Sequence, residues 1–178
     1  MKSSRVTFLL TALALLVYAG CASRPTDLIQ QTEQARQEAK DAYASQFAME
    51  DWSAGEKAWG QAEDALQKED YGQASTYLLR AKSRYEKARE IAQGQKEATL
   101  RKIDGAKNAA TIRLKTVLEN AAKLSAAKKK EIEASAQTLQ GDLAKIDEQL
   151  KNGEFSDADL LSQRTLRSVW ELEQQLKK

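Results

Sequence analysis

The chain has 178 residues, of which 30% are charged and only 6% aromatic, with one proline, eight glycines, one cysteine and no histidine. Its wealth of Ala, Leu, Lys, Glu and Gln, without regular turn clusters or β-branched runs, excludes an all-β fold and leaves one modest core or a quasi-linear helical array. Lacking histidine, the chain also lacks the commonest metal ligand and the usual general base.

Residues 1–20 have the three-part build of a secretory signal: Lys2 and Arg5, an apolar run over 6–17, then small residues before Cys21. About a dozen apolar residues are too few to span a bilayer as a permanent helix. Removing Lys2 and Arg5 with the leader leaves 26 basic against 26 acidic residues. The clustered basic excess of a nucleic-acid-binding protein is missing.

Leu16-Val17-Tyr18-Ala19-Gly20-Cys21 resembles a bacterial lipobox, in which cleavage between Gly20 and Cys21 frees a cysteine that is then lipidated. Ala19, Gly20 and Cys21 match that pattern, whereas Tyr18 stands where leucine is usual. Several acyl chains at ~0.8 kcal/mol per buried CH₂ hold a protein on a membrane essentially permanently. Ala22, in place of an aspartate after the cysteine, points in such lipoproteins to the outer membrane, with the chain on its periplasmic face. Residues 21–26 form a short linker, and 27–178 a helical domain divided into units 27–95 and 96–178.

The mature chain reads as all-α: about five helices in elongated antiparallel hairpins, packed along one long central helix. A first helix is expected over 26–46, with a break over 47–51 and Ser53–Glu56 as a capping box for a late restart. The second, over 50–68, sets Trp52, Gly55, Trp59, Ala62 and Leu66 on one side. Trp52 and Trp59 read as core anchors, with an aromatic platform for sugar or peptide as the sharper alternative.

The long helix spans 71–124, with Tyr71, Ala74, Leu78, Ala81, Tyr85 and Ala88 opening an apolar stripe that continues through Ile103 to Leu124. Unbroken, it would be a rod of about 75 Å at ~1.5 Å per residue. Lys128-Lys129-Lys130 read as the solvated end of a helix, or as a contact for lipid or glycan phosphate. A fourth helix over 125–152 carries a heptad seam of Ile132, Ala136, Leu139, Leu143, Ile146 and Leu150. A fifth, over 156–176, has Ser156 and Asp159 as a cap pair and Trp170 beside Val169 on its buried edge.

Two hairpins read alike at an offset of 84 residues: Leu66 with Leu150, Asp70-Tyr71 with Glu154-Phe155, Ala74 with Ala158, and Tyr85 and Ala88 with Val169 and Leu172. Gly153-Glu154-Phe155-Ser156-Asp157-Ala158 resembles the Gly-Asp-Tyr-x-x-Ala turn of a tetratricopeptide repeat, so the hairpins read as tetratricopeptide-like. The spacing Ala44-x-x-Phe47-Ala48, Trp52, Gly55, Trp59, Ala62, Asp70-Tyr71-x-x-Ala74, Leu78, Ala81, Tyr85, Ala88 looks like an uncharacterised family of alanine-rich helical lipoproteins of the bacterial envelope. Met49 stands where that family commonly has proline. The resemblance implies a fold and a location, and no activity.

Three functional classes follow. The first is a non-enzymatic, outer-membrane-anchored interaction or scaffold module that holds an envelope protein or the cell wall. The second is a self-associating, coiled-coil-like spacer between outer membrane and wall, a homo-oligomer. The third, an enzyme, has no supporting motif: neither a carboxylate pair nor a serine–lysine arrangement stands in a recognisable setting, and no Gly-rich phosphate loop is present. No cofactor or metal is expected.

Overall fold

The computed structural model describes residues 23–176, and all the regular structure among them is helical. Six helices follow in order: α1 (Thr26–Asp41), α2 (Ala44–Phe47), α3 (Met49–Gln67), α4 (Tyr71–Ala121), α5 (Ala126–Lys151) and α6 (Phe155–Gln175). Cys21 and Gly20, with the whole proposed leader, lie outside the described residues. The chain divides into two compact units between Ile91 and Ala92, within α4. That helix is continuous from Tyr71 to Ala121 through Gly94 and Gly105.

In the first unit α1, α3 and the opening turns of α4 pack together. Asp51 reaches Arg84 and Lys87 while Glu56 reaches Tyr85, and the chain turns back between Gln67 and Tyr71, so α3 runs antiparallel to α4. Thr32 donates to the Leu78 carbonyl and Glu38 pairs with Arg89, so α1 runs alongside α4 in the same direction. Small residues set the approach: Ala39, Ala44, Ala58, Ala62, Ala74, Ala81 and Ala88 are essentially without solvent contact, with Leu78 and Tyr85 as the large side chains among them.

The second unit has a more conventional apolar core. Ala110, Leu114, Val117 and Ala121 of α4 meet Ile132, Ala136 and Leu139 of α5 and Val169 and Leu172 of α6, while Ile103, Ile146 and Ala158 form a second cluster. Leu143 and Leu150 are half-buried against these clusters and Phe155 is buried. The heptad seam of α5 is therefore filled within the chain.

Several expectations need correction. The first helix stops at Asp41 and the chain turns at Tyr43, whose φ is 63°; a second bend falls at Ala48. No capping box forms at Ser53, because α3 has already begun at Met49 with Ala48 as its N-cap. Ser156 is likewise inside α6, whose N-cap is Glu154. The buried stripe of α3 is Asp51, Gly55, Ala58, Ala62 and Ala65, whereas Trp52, Trp59 and Leu66 flank it, half-buried. Trp170 is 50% exposed, about 100° round the helix from buried Val169. Lys128, Lys129 and Lys130 stand in the opening turns of α5 rather than at the end of a helix.

The 84-residue repeat extends to backbone detail. Glu69 and Gly153 both have positive φ, 56° and 76°. Their N–H groups donate to Leu66 and Leu150, and the next residues, Asp70 and Glu154, donate to Ala65 and Gln149. Both turns are thus Schellman closures of the preceding helix. Beyond them the buried positions Ala74, Leu78, Ala81, Tyr85 and Ala88 correspond to Ala158, Ser162, Thr165, Val169 and Leu172. Tyr71 is half-buried where its counterpart Phe155 is buried.

Candidate functional site

The chemistry-bearing side chains of the first unit converge where α1, α3 and α4 meet. Gly55 has no side chain, and the Tyr85 ring fills that space, with no solvent contact. The ring contacts Trp52 at 5.5 Å between centroids, tilted by 52°. Its hydroxyl donates to Glu56 Oε1 at 2.7 Å. The Arg36 guanidinium grips the same carboxylate with two bonds, Nε to Oε1 at 2.7 Å and Nη2 to Oε2 at 2.6 Å. It also lies 5.7 Å from the Trp59 ring centroid, while the Trp59 indole donates to Glu63 at 2.8 Å.

The electrostatics of this cluster follow from its geometry. Burial works against the Glu56 carboxylate, but the bonds from Arg36 and Tyr85 outweigh it and hold the group below its ordinary pKa. Burial, then the hydrogen bond to Glu56, pushes the Tyr85 phenol well up. The bond to Glu56 raises Arg36. One turn earlier on α3, Asp51 is 6% exposed yet bonded by Arg84 at 2.6 Å and Lys87 at 3.1 Å. Those bonds, Arg84's first, lower its pKa against the opposing effect of burial.

Each shifted group thus has a structural partner that accounts for the shift. The carboxylates are ion-paired and the phenol is bound, so the cluster clamps three helices rather than presenting a base or nucleophile. Trp59 has one face taken by Arg36 and its N–H by Glu63, which leaves the aromatic-platform reading without a free donor on that ring. This polar clamp was not foreseen in the sequence.

The second unit carries ion pairs along its edges, Lys102–Asp159 at 2.7 Å and Arg113–Glu173 at 2.7 Å, together with Lys107–Asp147. Trp170 sits in a shallow groove with Ala109, Arg113 and Leu166. Among the described residues there is no group of three or more His, Cys, Asp or Glu placed to hold a metal ion, and no helix long and apolar enough to cross a membrane. No family model, curated protein or solved structure matches the chain.

Proposed function

We propose that this protein is a lipid-anchored, non-enzymatic interaction or scaffold module of the bacterial envelope, tethered through acylated Cys21 to the periplasmic face of the outer membrane. The observation that carries the reading is the run Leu16-Val17-Tyr18-Ala19-Gly20-Cys21 after an apolar segment with a basic start. In support, α1 begins at Thr26, five residues after Cys21, so an acyl anchor would hold the first unit close to the lipid surface. The mutual pairing of Asp51, Glu56, Tyr85, Arg36, Arg84 and Lys87 supports a binding role over catalysis, since the shifted groups are spent on holding helices together.

Fractionation tests the reading. Wild-type protein is expected in the membrane fraction and Cys21→Ala in the soluble one; wild-type protein in the soluble fraction would overturn it. In-cell crosslinking of the anchored form is then expected to return a defined envelope protein or wall fragment. For the spacer alternative, the α5 seam is occupied internally by α4 and α6. The mature chain with Cys21→Ser is therefore expected to sediment as a monomer.

A further inference from the structure

The three tryptophans of the chain are used differently. The Trp52 ring packs on Tyr85, while Trp59 has Arg36 over its ring and Glu63 on its N–H. Trp170 is half exposed, and neither its ring nor its N–H is engaged by another described residue. With Ala109, Arg113, Gln163, Leu166 and Arg167 it lines a groove of about 400 Å³ between α4 and α6. That volume falls in the range of roughly 300–1,000 Å³ usual for ligand sites.

The hairpin fold does not require this groove. At the 84-residue offset Leu166 and Trp170 correspond to Lys82 and Glu86, which form an ordinary ion pair one turn apart, at 4.0 Å. Core positions such as Ala74 and Ala158 keep their character between the two units, whereas this outer strip changes from charged to apolar. Helix packing therefore does not account for an indole here.

The groups around the ring set the chemistry of an occupant. Arg113, Arg167, Gln163 and the indole offer a surplus of N–H donors against the single amide oxygen of Gln163. An apolar side chain docked here would leave those donors without partners. An anion is not favoured either, because the charges nearly balance. Glu173 binds Arg113 at 2.7 Å, and Glu171 stands one turn beyond Arg167 on the same side of α6. Arg164 lies about 120° round that helix from Trp170, outside the groove lining. What fits is an uncharged molecule rich in acceptor oxygens, with a flat C–H face to lie on the indole. A pyranose ring bearing hydroxyl and acetamido groups has all of these.

We propose that this groove binds an uncharged glycan of N-acetylated hexosamines, one ring stacking on Trp170 while Arg167, Arg113 and Gln163 donate to its hydroxyl and acetamido oxygens. The donor surplus suits the acetamido carbonyl; the choice of an amino-sugar chain also rests on the wall-holding role proposed above.

The test is titration of the mature chain carrying Cys21→Ser with tetra-N-acetylchitotetraose, followed through the indole N–H signals in a proton–nitrogen NMR spectrum. A saturable shift is expected at Trp170 and not at Trp52 or Trp59. Cellotetraose, with similar rings and no acetamido group, should bind several-fold more weakly. By calorimetry, Trp170→Ala should weaken binding about tenfold and Trp170→Phe should keep most of it. Arg167→Gln should weaken it about fivefold. Because both side chains are exposed, all three variants are expected to melt with the parent by circular dichroism, which separates lost binding from lost folding. Parent affinity in Trp170→Ala, an unmoved Trp170 signal, equal affinity for cellotetraose, or tighter binding of a polyglutamate peptide would each overturn the site. Failure here would leave the anchor untouched, because acylation of Cys21 is read separately by mass.

Discussion

The ring of Tyr85 lies directly against the backbone of Gly55: a methyl group at Gly55 would meet ring carbon Cε1 at 2.7 Å and Cδ1 at 2.8 Å. These atoms belong to a ring with no solvent contact, held by its hydroxyl to Glu56 and packed against Trp52, so it has little room to yield. Gly55→Ala should therefore destabilise the protein. The overpacking cost of about 1–3 kcal/mol exceeds the ~1 kcal/mol that alanine gains over glycine inside a helix. Urea unfolding measures the difference. Gly60→Ala, where a methyl meets nothing within 4 Å, is the control and should stabilise.

The paired turns make opposite predictions. Glu69 occupies a left-handed conformation for which a side chain is unfavourable, while Gly153 meets the same demand without one. Glu69→Gly is expected to raise stability by about 0.5–1 kcal/mol, and Gly153→Ala to lower it by about 1 kcal/mol. Thermal melts of the two single variants, moving in opposite directions, check the equivalence of the turns.

Acid should weaken the first unit through Asp51 and Glu56, both held below their ordinary pKa in the folded chain. Above the unfolded values of about 3.9 and 4.3 both states are ionised and the full stabilisation is present. As the pH falls through those values towards the lower folded ones, the unfolded chain takes up protons first and stability drops. Asp51→Asn should cost about 1–2 kcal/mol at neutral pH, because its charge-assisted bonds are lost while Arg84 and Lys87 stay in reach of water. The variant should also flatten the acid slope. Urea midpoints across the acid range give both effects. Tyr85, shifted upward, acts in the opposite sense, and stability should fall as the pH rises beyond about 10.

The helix spans were largely legible because apolar periodicity over long segments is a strong signal, and α3, α5 and α6 begin and end within a residue or two of the sequence reading. What escaped has particular causes. The break at Tyr43 lacks the glycine or asparagine that usually marks a left-handed residue. In α3 the tryptophans drew the apolar stripe to their own side, whereas the closest helix approach is made by Gly55, Ala58 and Ala62, which carry little hydrophobic weight. The Arg36–Glu56–Tyr85 clamp joins residues of three helices, and charged positions on a helix ordinarily read as solvent-facing. Trp170 neighbours buried Val169 in sequence, but successive residues diverge by about 100°.

The anchor is tested most directly by intact and fragment mass spectrometry of the protein extracted from its native membranes. The account predicts an N-terminal fragment that begins at Cys21 and carries acyl groups located on that cysteine. An unmodified sulfur, or a chain released into solution with the cysteine unacylated, would contradict it.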